Sequence, residues 1–118
     1  MTKKYSTILF LSVLIPFSCS KDEQTTADCT GVAPTYTSDI GAIMNTSCAI
    51  SGCHSANFPA DGLDLSNYSK VKSASLNGEV LQSIKHLSGA EAMPKDAAKL
   101  SSDKILKVEC WIKNGAPE

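Results

Sequence analysis

Seven residues near the middle of the chain, Cys48-Ala49-Ile50-Ser51-Gly52-Cys53-His54, place two thiols and an imidazole in one short span. Whatever engages those three side chains organises the fold around it. The span reads as a loop, with Gly52 free to turn tightly before Cys53. One reading closes Cys48 and Cys53 into a local disulfide and leaves His54 on the surface. A second is a zinc site that adds His86. Structural zinc usually takes four ligands from two paired clusters, and the second pair is missing here. A third reading needs the rest of the chain.

The first residues do not belong to the folded part. Lys3 and Lys4 form a short basic region, and residues 8–17 are mostly apolar, interrupted by Ser12 and Pro16. A bilayer-spanning helix needs roughly 20 apolar residues, so this run fits the core of a secretory signal better than an anchor. Ser18-Cys19 follows at once. A cysteine directly after an apolar run and a small residue resembles the lipobox of bacterial lipoproteins, with Pro16 and Phe17 departing from the usual small residues. The resemblance implies cleavage after residue 18, lipidation of Cys19 and attachment to the membrane by acyl chains. An ordinary signal peptide cut nearby is the alternative.

Residues 19–34 are polar and Thr-rich and read as a flexible tether. The Ser20-Lys21-Asp22-Glu23 run is similar to acidic signals that send some lipoproteins to the cell surface. It reads equally well as a solvated linker. Export implies an outer-membrane or periplasm-facing location. Beyond residue 18 nine lysines face twelve acids, a formal charge of −3, with no arginine and no basic stripe. That balance argues against nucleic-acid binding.

Cysteine usage needs accounting in an exported chain. With Cys19 assigned to lipid and Cys48 and Cys53 to the central motif, Cys29 and Cys110 remain. An oxidising compartment favours a bridge between them. Closing so long a loop would stabilise the fold by a few kcal/mol.

The remainder, residues 35–118, predicts short helices and long loops. Ser38 reads as an N-cap, with Asp39 in the first turn and Ile40, Ile43 and Met44 at helical spacing; Met44 reads as core. Pro59 and Asp61-Gly62 mark a loop. Residues 65–71 predict one or two helical turns, Asn77-Gly78 a turn, and 80–87 another short helix. The last helix is the clearest. Ser101 or Ser102 caps it, Ile105, Val108 and Ile112 form its apolar stripe, and Gly115 follows it. Trp111 and Ile112 read as packing between the last and first helices, with the edge of any bound group as a further neighbour. No alternating strand pattern occurs, so the fold class is all-α. About 80 residues with four aromatics bury little surface, and such small domains usually carry a staple or a bound group.

The order of motifs supplies the third reading. Cys48 and Cys53 with His54 resemble a longer-spaced variant of the C-x-x-C-H haem-attachment signature. Met93-Pro94 lies 39 residues after His54 and shortly before the last helix. Leu100-Ser101-Ser102-Asp103-Lys104-Ile105, Trp111-Ile112-Lys113-Asn114-Gly115-Ala116 and Gly62-Leu63-Asp64-Leu65 with Tyr68 are similar to small class I c-type cytochromes of the planctomycete type. The likeness covers nearly all of residues 36–116.

It implies a small cytochrome c-like fold around one covalent haem c. Cys48 and Cys53 would carry the thioethers, His54 would be the proximal iron ligand and Met93 the distal one, with His86 as the rival sixth ligand. It implies an electron-transfer protein, not an enzyme, acting as a monomer with transient redox partners. The acidic balance favours a basic partner face unless the lysines gather at the haem edge. The competing class is a non-redox, disulfide-stabilised binding or adhesion module on a lipid anchor.

Overall fold

The computed structural model describes residues 26–118, and every regular element within them is helical. The expected signal segment 1–18, Cys19 and the first part of the tether lie outside the described residues. A π-helical turn, Tyr36–Ile40, runs directly into α1, Gly41–Ser47. It is followed by a 3₁₀ turn, Ala60–Gly62, and by α2, Tyr68–Leu76, α3, Glu79–Lys85, and α4, Ser102–Lys113. Among the described residues no helix is long and apolar enough to cross a membrane.

The first helix starts earlier than expected. Thr35, not Ser38, is its N-cap: the Thr35 hydroxyl accepts the Ser38 N–H at 3.2 Å, and the Ser38 hydroxyl accepts the Thr35 N–H at 3.3 Å. This reciprocal capping box satisfies two donors at once. Two further first-turn donors are met from far along the chain, Tyr36 N–H by the Pro117 carbonyl and Thr37 N–H by that of Glu118. Gly41 allows the close turn, since a Cβ there would stand 3.1 Å from the Tyr36 carbonyl oxygen.

The second helix starts at Tyr68, later than the expected 65. Asp64 accepts the Ser66 N–H at 2.8 Å and Asn67 accepts the Lys70 N–H at 3.1 Å. The first bond draws the backbone into a side-chain turn, and the second starts the helix. Leu65 is therefore a buried loop residue, and the helical face is Val71, Ala74 and Ser75. After the Asn77-Gly78 turn, α3 buries Val80 and Ile84 and ends at Lys85, two residues short of the expected 87. In α4 the sequence signals stand where expected. The Ser101 side chain caps the Lys104 N–H, and Gly115 follows at φ 85°.

Ile40, Ile43 and Met44 of the first helix meet Val71, Val80, Ile84, Val108 and Trp111 in one core. Trp111 is fully buried. Its ring lies 6.4 Å from that of Tyr36, which lies 5.3 Å from Tyr68. The Trp111 Nε1–H donates to the Pro117 carbonyl at 2.7 Å, and the Tyr68 hydroxyl to that of Ala116 at 2.9 Å. Each buried polar handle is thus satisfied by the turn that follows α4.

The segment before the first helix is strapped to α4. Cys29 and Cys110 form a disulfide, with Cα atoms 5.5 Å apart. Beside it the Ala27 N–H donates to Glu109, and the Lys113 ammonium donates to the Ala27 carbonyl at 2.8 Å. The buried Glu109 carboxylate also pairs with Lys85 of α3 at 2.5 Å. Burial works to raise its pKa, but Lys85, the Ala27 N–H and Lys113 outweigh burial and hold the carboxyl below its ordinary value. One carboxylate therefore joins strap, α3 and α4.

Candidate functional site

The central motif begins where α1 stops. The Cys48 and Ala49 N–H groups both donate to the Met44 carbonyl, at 2.9 and 2.8 Å, ending the helix. Gly52 sits at φ 81°, a left-handed backbone that glycine adopts without strain. The loop then closes on itself, with the His54 N–H donating to the Cys48 carbonyl at 3.0 Å. Downstream residues lock it from outside: Ala60 N–H donates to the Cys53 carbonyl at 2.7 Å and Leu65 N–H to that of His54 at 2.9 Å. An isolated antiparallel bridge joins His54 to Pro59. Both peptide groups of His54 are thereby fixed.

Its side chain is fixed too. His54 is buried, and Nδ1 lies 3.0 Å from the Leu63 carbonyl oxygen. A carbonyl only accepts, so Nδ1 carries the hydrogen and Nε2 of the neutral ring keeps a free lone pair. Histidines that bind metals are held in this way, through the other ring nitrogen.

Cys48, His54 and Met93 line one cleft of about 430 Å³. Its apolar lining includes Leu63, Leu65, Val80 and Ile84. The volume falls in the range of roughly 300–1,000 Å³ common for small-molecule and cofactor sites. Three of the four motif and ligand residues singled out from sequence thus share a cavity. Cys53 is half-buried and does not line it. Cys48 and Cys53 are both free thiols, not bonded to each other. Burial first, then the neighbouring Cys53, pushes the Cys48 thiol up to about 11 against the pull of Lys104. An uncharged sulfur suits that position better than a zinc-bound thiolate. Among the described residues no group of three or more His, Cys, Asp or Glu side chains is arranged to hold a bare metal ion. The zinc set of Cys48, Cys53, His54 and His86 is therefore not assembled.

His86 stands apart from the cleft. It is exposed, and its Nε2 lies 2.9 Å from the Met93 carbonyl oxygen. Trp111 does not line the cleft and packs beside Tyr36. Nor do lysines gather at this site. The charged residues that line it are Asp61, Glu79 and Glu91.

Sequence reasoning missed the Leu63 carbonyl, because a backbone acceptor has no letter of its own. It missed Val80 and Ile84 as cleft residues, although both fall in the helix expected over 80–87. Nothing in the sequence set the three carboxylates apart from other surface acids. No protein-family model matches the chain, and no curated protein or solved structure is significantly similar to it.

Proposed function

We propose that this chain is a mono-haem c-type cytochrome, a small class I cytochrome c-like domain that passes single electrons between protein partners while tethered to a membrane through a lipidated Cys19. The observation that carries this reading is the cleft itself. A buried His54, held through Nδ1 by the Leu63 carbonyl, shares an apolar cavity with Cys48 and Met93. The residues in the cleft fit the group: an imidazole nitrogen and a thioether that would serve as iron donors, the Cys48 thiol for a vinyl carbon, and an apolar lining for the porphyrin face, with Cys53 on the same loop just outside the lining. The all-helical architecture with long loops is compatible with it.

Bound haem supplies the one-electron couple; the chain supplies orientation, burial and access. Cys48 and Cys53, both free thiols, would hold the group covalently as thioethers. His54 presents Nε2 in the tautomer its hydrogen bond imposes. Met93 would supply the second ligand, and His/Met ligation favours the reduced state. With His54 and Met93 both engaged, the chain would leave the group no place for a substrate, which favours electron transfer over catalysis. The carboxylates Asp61, Glu79 and Glu91 at the cleft favour a basic docking face on transient partners.

The test is expression of the full chain with haem-maturation machinery, followed by haem staining after denaturation and a reduced-minus-oxidised spectrum. The reading expects a covalent haem band that the C48S/C53S double variant loses. A wild-type chain without haem under conditions that mature a control cytochrome overturns it. That result leaves the non-redox, disulfide-stabilised lipoprotein module.

A further inference from the structure

Met93 lies on the irregular stretch between α3 and α4, from 86 to 101. Structureless loops of this length are uncommon in compact domains and are usually functional. Beyond the bonds of His86 and Leu87 that close α3, three more tie Met93 and Lys99 back to its end. The Met93 N–H donates to the Ser83 carbonyl at 3.1 Å. The His86 ring donates from Nε2 to the Met93 carbonyl at 2.9 Å. The Lys99 ammonium donates to the Lys85 carbonyl at 2.7 Å. Met93 is therefore held at both of its backbone polar groups, once by main chain and once by a side chain.

The His86 backbone is arranged for this contact. It is the C-cap of α3 at φ 56°, ψ 42°, in the left-handed region where glycine is the usual choice. Histidine is among the few other residues that visit that region with any frequency. A glycine would end the helix without strain but would leave the Met93 carbonyl without this donor. The ring is solvent-exposed, so its contribution is not core packing.

We propose that His86 is a positioning residue for Met93: its Nε2–H holds the Met93 carbonyl, pre-orders the loop, and so sets how readily an external ligand displaces the Met93 sulfur from a bound haem. The proposal rests on Met93 being the distal ligand. The mechanism is entropic. A loop already tied at both sides of Met93 pays less to order when the sulfur engages, and competes better against a free ligand. His86 itself does not enter the cleft.

The experiment uses the haem-loaded full chain, titrated in the ferric state with imidazole, in four forms. H86G relieves the positive φ and removes the donor, H86F keeps a ring without the donor, and H86Q restores an N–H of similar reach. The expected result is apparent imidazole affinity about fivefold higher in H86G and H86F than in wild type, the equivalent of about 1 kcal/mol. H86Q should return close to wild type. The weak red absorption band of Met-ligated ferric haem should fade in H86G and H86F while the reduced α-band and haem content stay unchanged. If imidazole binds all four forms alike and the red band persists in each, the clamp is wrong and Met93 ligation stands. If haem is present but wild type itself lacks the red band, both the ligand assignment and the clamp fall.

Discussion

Removing the Cys29–Cys110 bond, as C29A/C110A, should cost this small domain a large part of its stability. The two cysteines are 81 residues apart in sequence. The chain-entropy relation for a loop of that length gives about 4.5 kcal/mol at 25 °C, through the freedom it returns to the unfolded chain. The native state should survive, because Ala27 stays bonded to Glu109 and Lys113. Cys110 is fully buried, so its truncation adds a cavity cost of up to about 1 kcal/mol. Against a typical total of about 5–15 kcal/mol, the variant should be close to marginal. The assay is urea unfolding of wild type and variant in the same haem-loading state, read by circular dichroism, with the slopes compared as well as the midpoints. A loss below about 1 kcal/mol at unchanged slope would refute the reasoning. It would mean that the loop is already closed in the unfolded ensemble or that the strap contributes nothing to the native fold.

Other perturbations probe the core, the buried charge and the cleft. W111F removes the donor to the Pro117 carbonyl at a cost of about 1–3 kcal/mol, and W111A should cost about 3–5 kcal/mol, both read as urea midpoints. Glu109 has a lowered folded pKa, so its contribution is fully present above its ordinary value of 4.5 and is lost as pH falls through the lower folded value. E109Q should therefore be less stable than wild type at neutral pH, with the gap closing in acid; a gap that stays constant from neutral to acid pH would contradict this. M93A should keep covalent haem but lose the weak red ferric band and bind cyanide readily at neutral pH, whereas retention of that band would remove Met93 from the iron.

How much could be read from the sequence depended on whether a signal was local and unique. In α4 the cap, the apolar stripe and the terminal glycine all agree, and the helix lies where they place it, Ser102–Lys113. At the first helix the sequence pointed to Ser38 alone. Ser38 precedes the apolar run, yet Thr35 is the cap, because a reciprocal pair uses both hydroxyls and satisfies one more donor. Helical turns were expected from Leu65, but the Asp64 side-chain turn and the Asn67 cap shift the start of α2 to Tyr68. In the cleft, Cys48, His54 and Met93 were legible as chemistry-bearing residues in a telling order. Their meeting at one site was implied by the resemblance, but what holds them there was not legible: the Leu63 carbonyl, Val80 and Ile84 of α3, and the left-handed backbone at His86. Those features come from chain path rather than residue type.

The strap also has a mechanical consequence. The residues next to Ala27 are fastened to α4 by a covalent bond and a buried carboxylate, while the cleft is built from the end of α1, from α3 and from the loops. A pull on the chain upstream of the disulfide is thus delivered to α4. The six residues between Cys29 and Tyr36 carry none of it, like the slack wire behind a cable clamp. Tension on the chain upstream of Cys29 would then reach α4 first, and α3 through the Glu109–Lys85 pair, before it reached the Cys48–His54 loop.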